Sequence, residues 1–183
     1  MASLPNSKTI TYEEWLRMPE VKGEEVVNGE IRKMPAPNWM HTEVVHALYD
    51  EIRPQIDKRD VAVINSPFDL IVRRNLPTSR QPDLAAFQRS SIVKEEGRVV
   101  SAPQLIIEVL SPSNTRRELT ERLADYAAVG APEVWIFSYE ALTAEVLYLA
   151  EGRYVRQFVQ AEGVLRPTHF PTVGVDISKV WPE

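Results

Sequence analysis

The chain has no cysteine at all among its 183 residues, which removes disulfides, thiolate zinc sites and cysteine nucleophiles together. Histidine is almost as scarce, with three residues. Positive charge is in deficit. The formal net charge of −5 argues against broad affinity for nucleic acid built on excess Lys and Arg, though it leaves room for a local basic groove. No apolar run approaches a membrane span, and the opening MASLPNSKT lacks the apolar block of a signal peptide. A cytoplasmic location without membrane contact is the default expectation. What remains is a chain with 44% hydrophobic residues, enough for a substantial core, of a length that favours one domain over residues 1–183.

The most informative stretch is QLIIEVLSPS, residues 104–113, bounded by Pro103 and containing Pro112. A short, β-branched, nearly continuous apolar run reads as a strand buried on both faces. Alternation sends Leu105, Ile107 and Val109 to one face and Ile106, Glu108 and Leu110 to the other. A carboxylate there is costly to desolvate without a cation, a metal or hydrogen-bond donors, so Glu108 needs a partner. A second acid, Asp83 in RQPDLAAF, opens another apolar run.

Other signals order the chain. Thr11-Tyr12-Glu13-Glu14 is a capping box for a short helix, and Asn28-Gly29 in EEVVNGEIRKM marks a two-residue hairpin. A helix is expected from about Met40 until Pro54 interferes. His41 and His46, five apart, diverge by about 140° and cannot share a metal. Glu43, His46 and Asp50 read as an exposed polar face. VAVIN (61–65), PFDLIVR (67–73) and LAAF (84–87) read as strands, with NLPTSRQPD as a turn-forming link. Arg73, Arg74 and Arg80 around that link, and Arg116 and Arg117 downstream, are expected to be solvated. Thr115 to Glu118 is a second capping box, opening a helix that closes on Gly130. A buried strand (133–139), a hairpin turning at Glu151-Gly152 and a tail that packs back complete the chain. The pattern is α/β in the mixed α+β sense: a central mixed sheet flanked by helices, with an N-terminal and a C-terminal hairpin.

Two carboxylates at one end of a sheet suit a hard, oxygen-loving cation, Mg²⁺ or Mn²⁺. Such an ion lowers the pKa of water and stabilises charge on a phosphodiester. Arg122 lies on or beside the inward face marked by Leu119, Leu123 and Tyr126, and so is aimed at Glu108 or Asp83. On physical grounds alone, a metal site and a buried Glu–Arg pair without chemistry stand level.

Pro82-Asp83, Glu108 twenty-five positions on, and ELTERLADYAAVGAPEVWIF resemble the Uma-type putative restriction endonuclease family of the PD-(D/E)XK nuclease superfamily. The likeness extends to EEVVNGEI, PAPNWMH and PTVGVDIS. It implies a restriction-endonuclease-like core and a metal-dependent endonuclease acting on DNA. In that reading Asp83 and Glu108 hold the ion, Arg122 contacts the scissile phosphate and His41 sits at the rim. Glu25 matches a further acid that helps hold metal; as a plain strand residue it would face solvent, and the two readings stand level. A small nuclease of this type allows a homodimer, though no stretch marks an interface. The departure is the motif lysine. Leu110 stands two places after Glu108, and on the helix arginine takes the lysine position, at Arg122. Arginine stays protonated and cannot act as a general base. A nuclease-fold module that has lost cleavage, binding DNA or a protein partner, is therefore the alternative.

Overall fold

The structure is a computed structural model that describes residues 9–112 and 114–182. Its first elements follow the local signals. Thr11 and Glu14 form the reciprocal capping box of α1 (Tyr12–Leu16). β1 (Glu24–Val27) and β2 (Glu30–Lys33) pair antiparallel. Between them Asn28 and Gly29 have φ angles of 52° and 79°, the left-handed pair that a two-residue hairpin requires. Asn38 caps α2 (Trp39–Ile52), accepting from the His41 amide. Pro54 removes the next amide donor, and a 3-10 turn (Arg53–Gln55) ends the helix.

Then come β3 (Val61–Asn65), β4 (Leu70–Arg73), β5 (Thr78–Arg80), β6 (Leu84–Gln88), β7 (Lys94–Glu95), β8 (Arg98–Val99) and β9 (Leu105–Leu110). α3 (Arg116–Val129) has its capping box at Thr115 and ends on Gly130, whose φ of 87° only glycine adopts cheaply. β10 (Glu133–Ser138), the long hairpin β11 (Thr143–Ala150) and β12 (Arg153–Gln160), and the short pair β13 (Val164–Leu165) and β14 (Val175–Asp176) follow.

Six strands form the central sheet in the order β12-β11-β10-β9-β6-β3. β9 and β10 run parallel across the α3 crossover, and the other pairs are antiparallel, so the sheet is mixed. β9 lies inside it, and the two faces divide as alternation requires. Leu105, Ile107 and Val109 pack with α2 and the returning tail residues Val175, Ile177 and Val180. Ile106 packs with Tyr126 of α3, Leu70 and Phe87. No described helix is long and apolar enough to cross a membrane.

Two expectations are corrected. The strand expected over 67–73 begins only at Leu70. Phe68 is drawn into the core, and the Asp69 carboxylate is turned to Gln81 and Arg98. The link NLPTSRQPD contains a strand, β5, which pairs with β4 and is buried at all three residues. Its turn-like composition hid that, because an arginine in a link reads as solvated until its partners are in place.

Candidate active site

Sheet register brings the two acids together. Leu84 of β6 lies opposite Ile107 of β9, so Asp83, one residue earlier on its strand, meets the Glu108–Val109 segment. The Val109 amide donates to Asp83 Oδ2 at 2.8 Å, and His41 Nε2 lies 3.3 Å from the same oxygen. Glu108 faces α3. Its Oε1 accepts from the Tyr126 hydroxyl and from Arg122, the latter at 3.4 Å. Each acid is thus tethered by one oxygen, and its second oxygen has no hydrogen-bond partner among the described residues. Both line one cavity of about 650 Å³, together with His41, Arg122, Asn65 and Lys33. The side chains are recessed but reachable, 18% exposed for Asp83 and 9% for Glu108.

Behind Glu108 lies a chain of buried ion pairs. Arg122 reaches Glu25 Oε1 at 3.0 Å. Glu25 Oε2 accepts from Arg80 at 2.9 Å, and Oε1 also accepts from the Gln81 amide at 2.9 Å. Arg80 continues to Asp125 Oδ2 at 2.7 Å, and Asp125 Oδ1 takes Arg73 at 2.9 Å. Glu25 is 1% exposed, lies outside the cavity lining and has both oxygens engaged.

The electrostatics set the acid pair apart. Burial pushes the Glu108 carboxyl up to about 7; Arg122 opposes this and Asp83 adds to it. Burial works against a charged His41, yet Asp83, with Glu108 behind it, raises the imidazole above its ordinary value. Burial also opposes the charge on Arg122, but Glu108, Tyr126 and Glu25 hold it protonated.

Residues 11–178 match the family Uma2, described as "Putative restriction endonuclease". The chain belongs to that family. No curated protein matches it by sequence. Among solved structures it is similar to a protein of Anabaena variabilis ATCC 29413 described as a putative nuclease belonging to DUF820. That chain is 22% identical over 94% of this chain and 97% of its own length, with a TM-score of 0.72, which establishes a shared fold. The Uma2 membership supports a function of nuclease type.

The Uma2 site fits a hard cation of modest coordination demands. Its donors are two carboxylates, each with one oxygen uncommitted, and the Glu108 charge is poorly offset where it stands. No cluster of three His, Asp or Glu groups able to cage an ion occurs among the described residues. Two carboxylates with water in the rest of the shell is a donor set that ions such as Mg²⁺ accept. The resemblance offered Glu25 as a third donor, but its oxygens are taken by Arg122, Arg80 and the Gln81 amide.

Several site residues escaped sequence reasoning. Arg80, expected in solvent, is 5% exposed, whereas Arg74 and Arg117 are exposed and bond Glu95 and Glu121. Tyr126 was legible as an apolar face residue, but not as the hydroxyl that holds Glu108. His46, on the expected polar face, also lines the cavity. His41 stands against Asp83 and lines the cavity. A basic residue flanked by turn formers carries no mark of burial. The one available hint was the pair of acids on β1, Glu24 and Glu25, with no basic residue on their own strand.

Proposed function

We propose that this Uma2 protein is a metal-dependent endonuclease that hydrolyses DNA phosphodiester bonds. The observation that carries the reading is the half-committed acid pair: Asp83 and Glu108 each present a free oxygen to one open cavity. A Mg²⁺ or Mn²⁺ ion held there supplies Lewis-acid charge to the phosphate and makes water easier to deprotonate. The protein's own contribution is positional. The Val109 amide and His41 fix Asp83, while Tyr126 and Arg122 fix Glu108. Arg122 is charged at every accessible pH, so it stabilises negative charge on the phosphate and takes no proton. In this reading Glu25 holds Arg122 in place and is not itself a ligand.

A second reading has a specific observation behind it. The motif lysine is replaced by Arg122, whose guanidinium is already shared between Glu25 and Glu108. A nuclease-fold module that binds DNA or a protein without cutting accommodates that. Supercoiled plasmid incubated with Mg²⁺ or Mn²⁺ separates the two. Nicking by wild type but not by Glu108→Ala is expected from the enzyme. Activity appearing only in Arg122→Lys identifies a lapsed nuclease.

A further inference from the structure

Four tryptophans are present, and three of them are buried or half-buried. The fourth, Trp39, is 74% exposed, an unusual position for the largest apolar side chain. It is the first residue of α2 and is flanked in sequence by the cavity-lining residues Pro37 and His41. Its backbone is fixed on the N-terminal side. Asn38 Oδ1 accepts from the His41 amide at 2.9 Å, and Asn38 Nδ2 donates to the Tyr139 hydroxyl at 3.0 Å. The Asn38 bonds thus anchor the backbone beneath an aromatic ring held in solvent, on a segment whose neighbouring residues line the acid-bearing cavity. The charge lining the cavity is mixed. Lys22 and Lys33 stand among Glu24 and Glu118, Lys33 lies 3.9 Å from Glu24 with its side chain 85% exposed, and the first turn of α2 contains no acid.

We propose that Trp39 is a stacking platform for an unpaired nucleobase, and that DNA therefore enters this cavity as a single strand. The inference rests on the nuclease reading for its substrate class. Two observations carry it further than that reading goes. The acids are recessed in a cavity of about 650 Å³, a size suited to one small ligand or nucleotide unit. A single strand can lower a phosphate into it, whereas a paired strand brings its complement along. The exposed indole, two residues along the chain from the cavity-lining His41, is open to stacking, and every base offers a π-face to it.

The test uses the full chain with Ca²⁺ present, following tryptophan emission and the anisotropy of a labelled oligonucleotide. Oligothymidylate should quench the emission of wild type, and a blunt duplex of equal length should not. Trp39→Ala should lose the quenching and bind oligothymidylate at least about tenfold more weakly, while Trp39→Phe keeps most of the affinity. Trp39 packs against little, so both variants fold. Unchanged affinity in Trp39→Ala, equal quenching by duplex, or no quenching overturns the proposal. So does an emission change driven by protein concentration alone, which would mark a protein contact. The two readings fail separately. Trp39-dependent strand binding without plasmid cleavage sinks hydrolysis and leaves the platform standing. Cleavage with a Trp39→Ala protein indistinguishable from wild type does the reverse.

Discussion

Two groups of buried acids lie side by side in this protein, and they are satisfied to different degrees. Glu25 and Asp125 have all four carboxylate oxygens bonded, by Arg122, Arg80, Arg73 and the Gln81 amide. Among the described residues, Asp83 and Glu108 have two of four bonded, and both side chains line a cavity. Glu25, Asp125 and Glu108 lose most of their water and Asp83 rather less, so the contrast lies chiefly in what answers that loss. The saturated group is bonded entirely from within the fold. The open group keeps capacity for something from outside. Removing one partner from each should therefore have unlike effects. Arg80→Ala strands both Glu25 and Asp125 and should cost about 3–5 kcal/mol in urea denaturation. Asp83→Asn keeps the Val109 hydrogen bond and should cost about 1 kcal/mol or less. Equal losses would break the distinction.

A sharper version uses pH. Glu108 is raised from the ordinary 4.5 to about 7, chiefly by burial. The folded state then holds the proton more tightly than the unfolded chain does. Its contribution is fully present below about pH 4.5 and is lost as pH climbs through 7. In EDTA, wild type should lose stability on the order of 3 kcal/mol across that window, and Glu108→Gln should flatten the loss. A slope of undiminished size in Glu108→Gln would assign the proton elsewhere, since His41, also raised, accounts only for a residual loss. A saturating divalent ion should offset the same cost. At about one hundred times its Kd, Mg²⁺ or Mn²⁺ should add about 2.7 kcal/mol to wild type at neutral pH and nothing to Asp83→Asn. An equal gain in both would show the ion binding away from the acid pair.

The same contrast explains what the letters could tell. Glu108 was legible because it sits in an apolar strand and Asp83 because it opens an apolar run, where a charge is conspicuous, and the Uma-type spacing joined them. The capping boxes at Thr11 and Thr115 and the Asn28-Gly29 turn were legible because their physics is local. The saturated group was not. Its members come from β1, β5 and α3, and no window of sequence brings Glu25, Arg80 and Asp125 near one another. Arg80 looked solvated because its neighbours Thr78, Ser79 and Gln81 are polar; the structure buries all of them. Glu25 was readable as an acid needing a partner, but only the fold brings Arg122 and Arg80 to its oxygens.

The smallest expected effect tests whether α3 carries the two groups as one body. Arg122 and Tyr126 reach the open acid from this helix, and Asp125, between them, belongs to the saturated group. The helix starts at the Thr115 capping box, where the hydroxyl accepts from the Glu118 amide at 3.2 Å and Glu118 returns to the Thr115 amide at 2.8 Å. Thr115→Ala should cost about 1 kcal/mol by loosening the first turn, one turn before Arg122. With Asp125 pinned by Arg80 and Arg73, the helix cannot slide, so the pH slope assigned to Glu108 should keep its midpoint. A shifted midpoint in Thr115→Ala would mean that the open acid depends on the helix start, and that the saturated group does not anchor it.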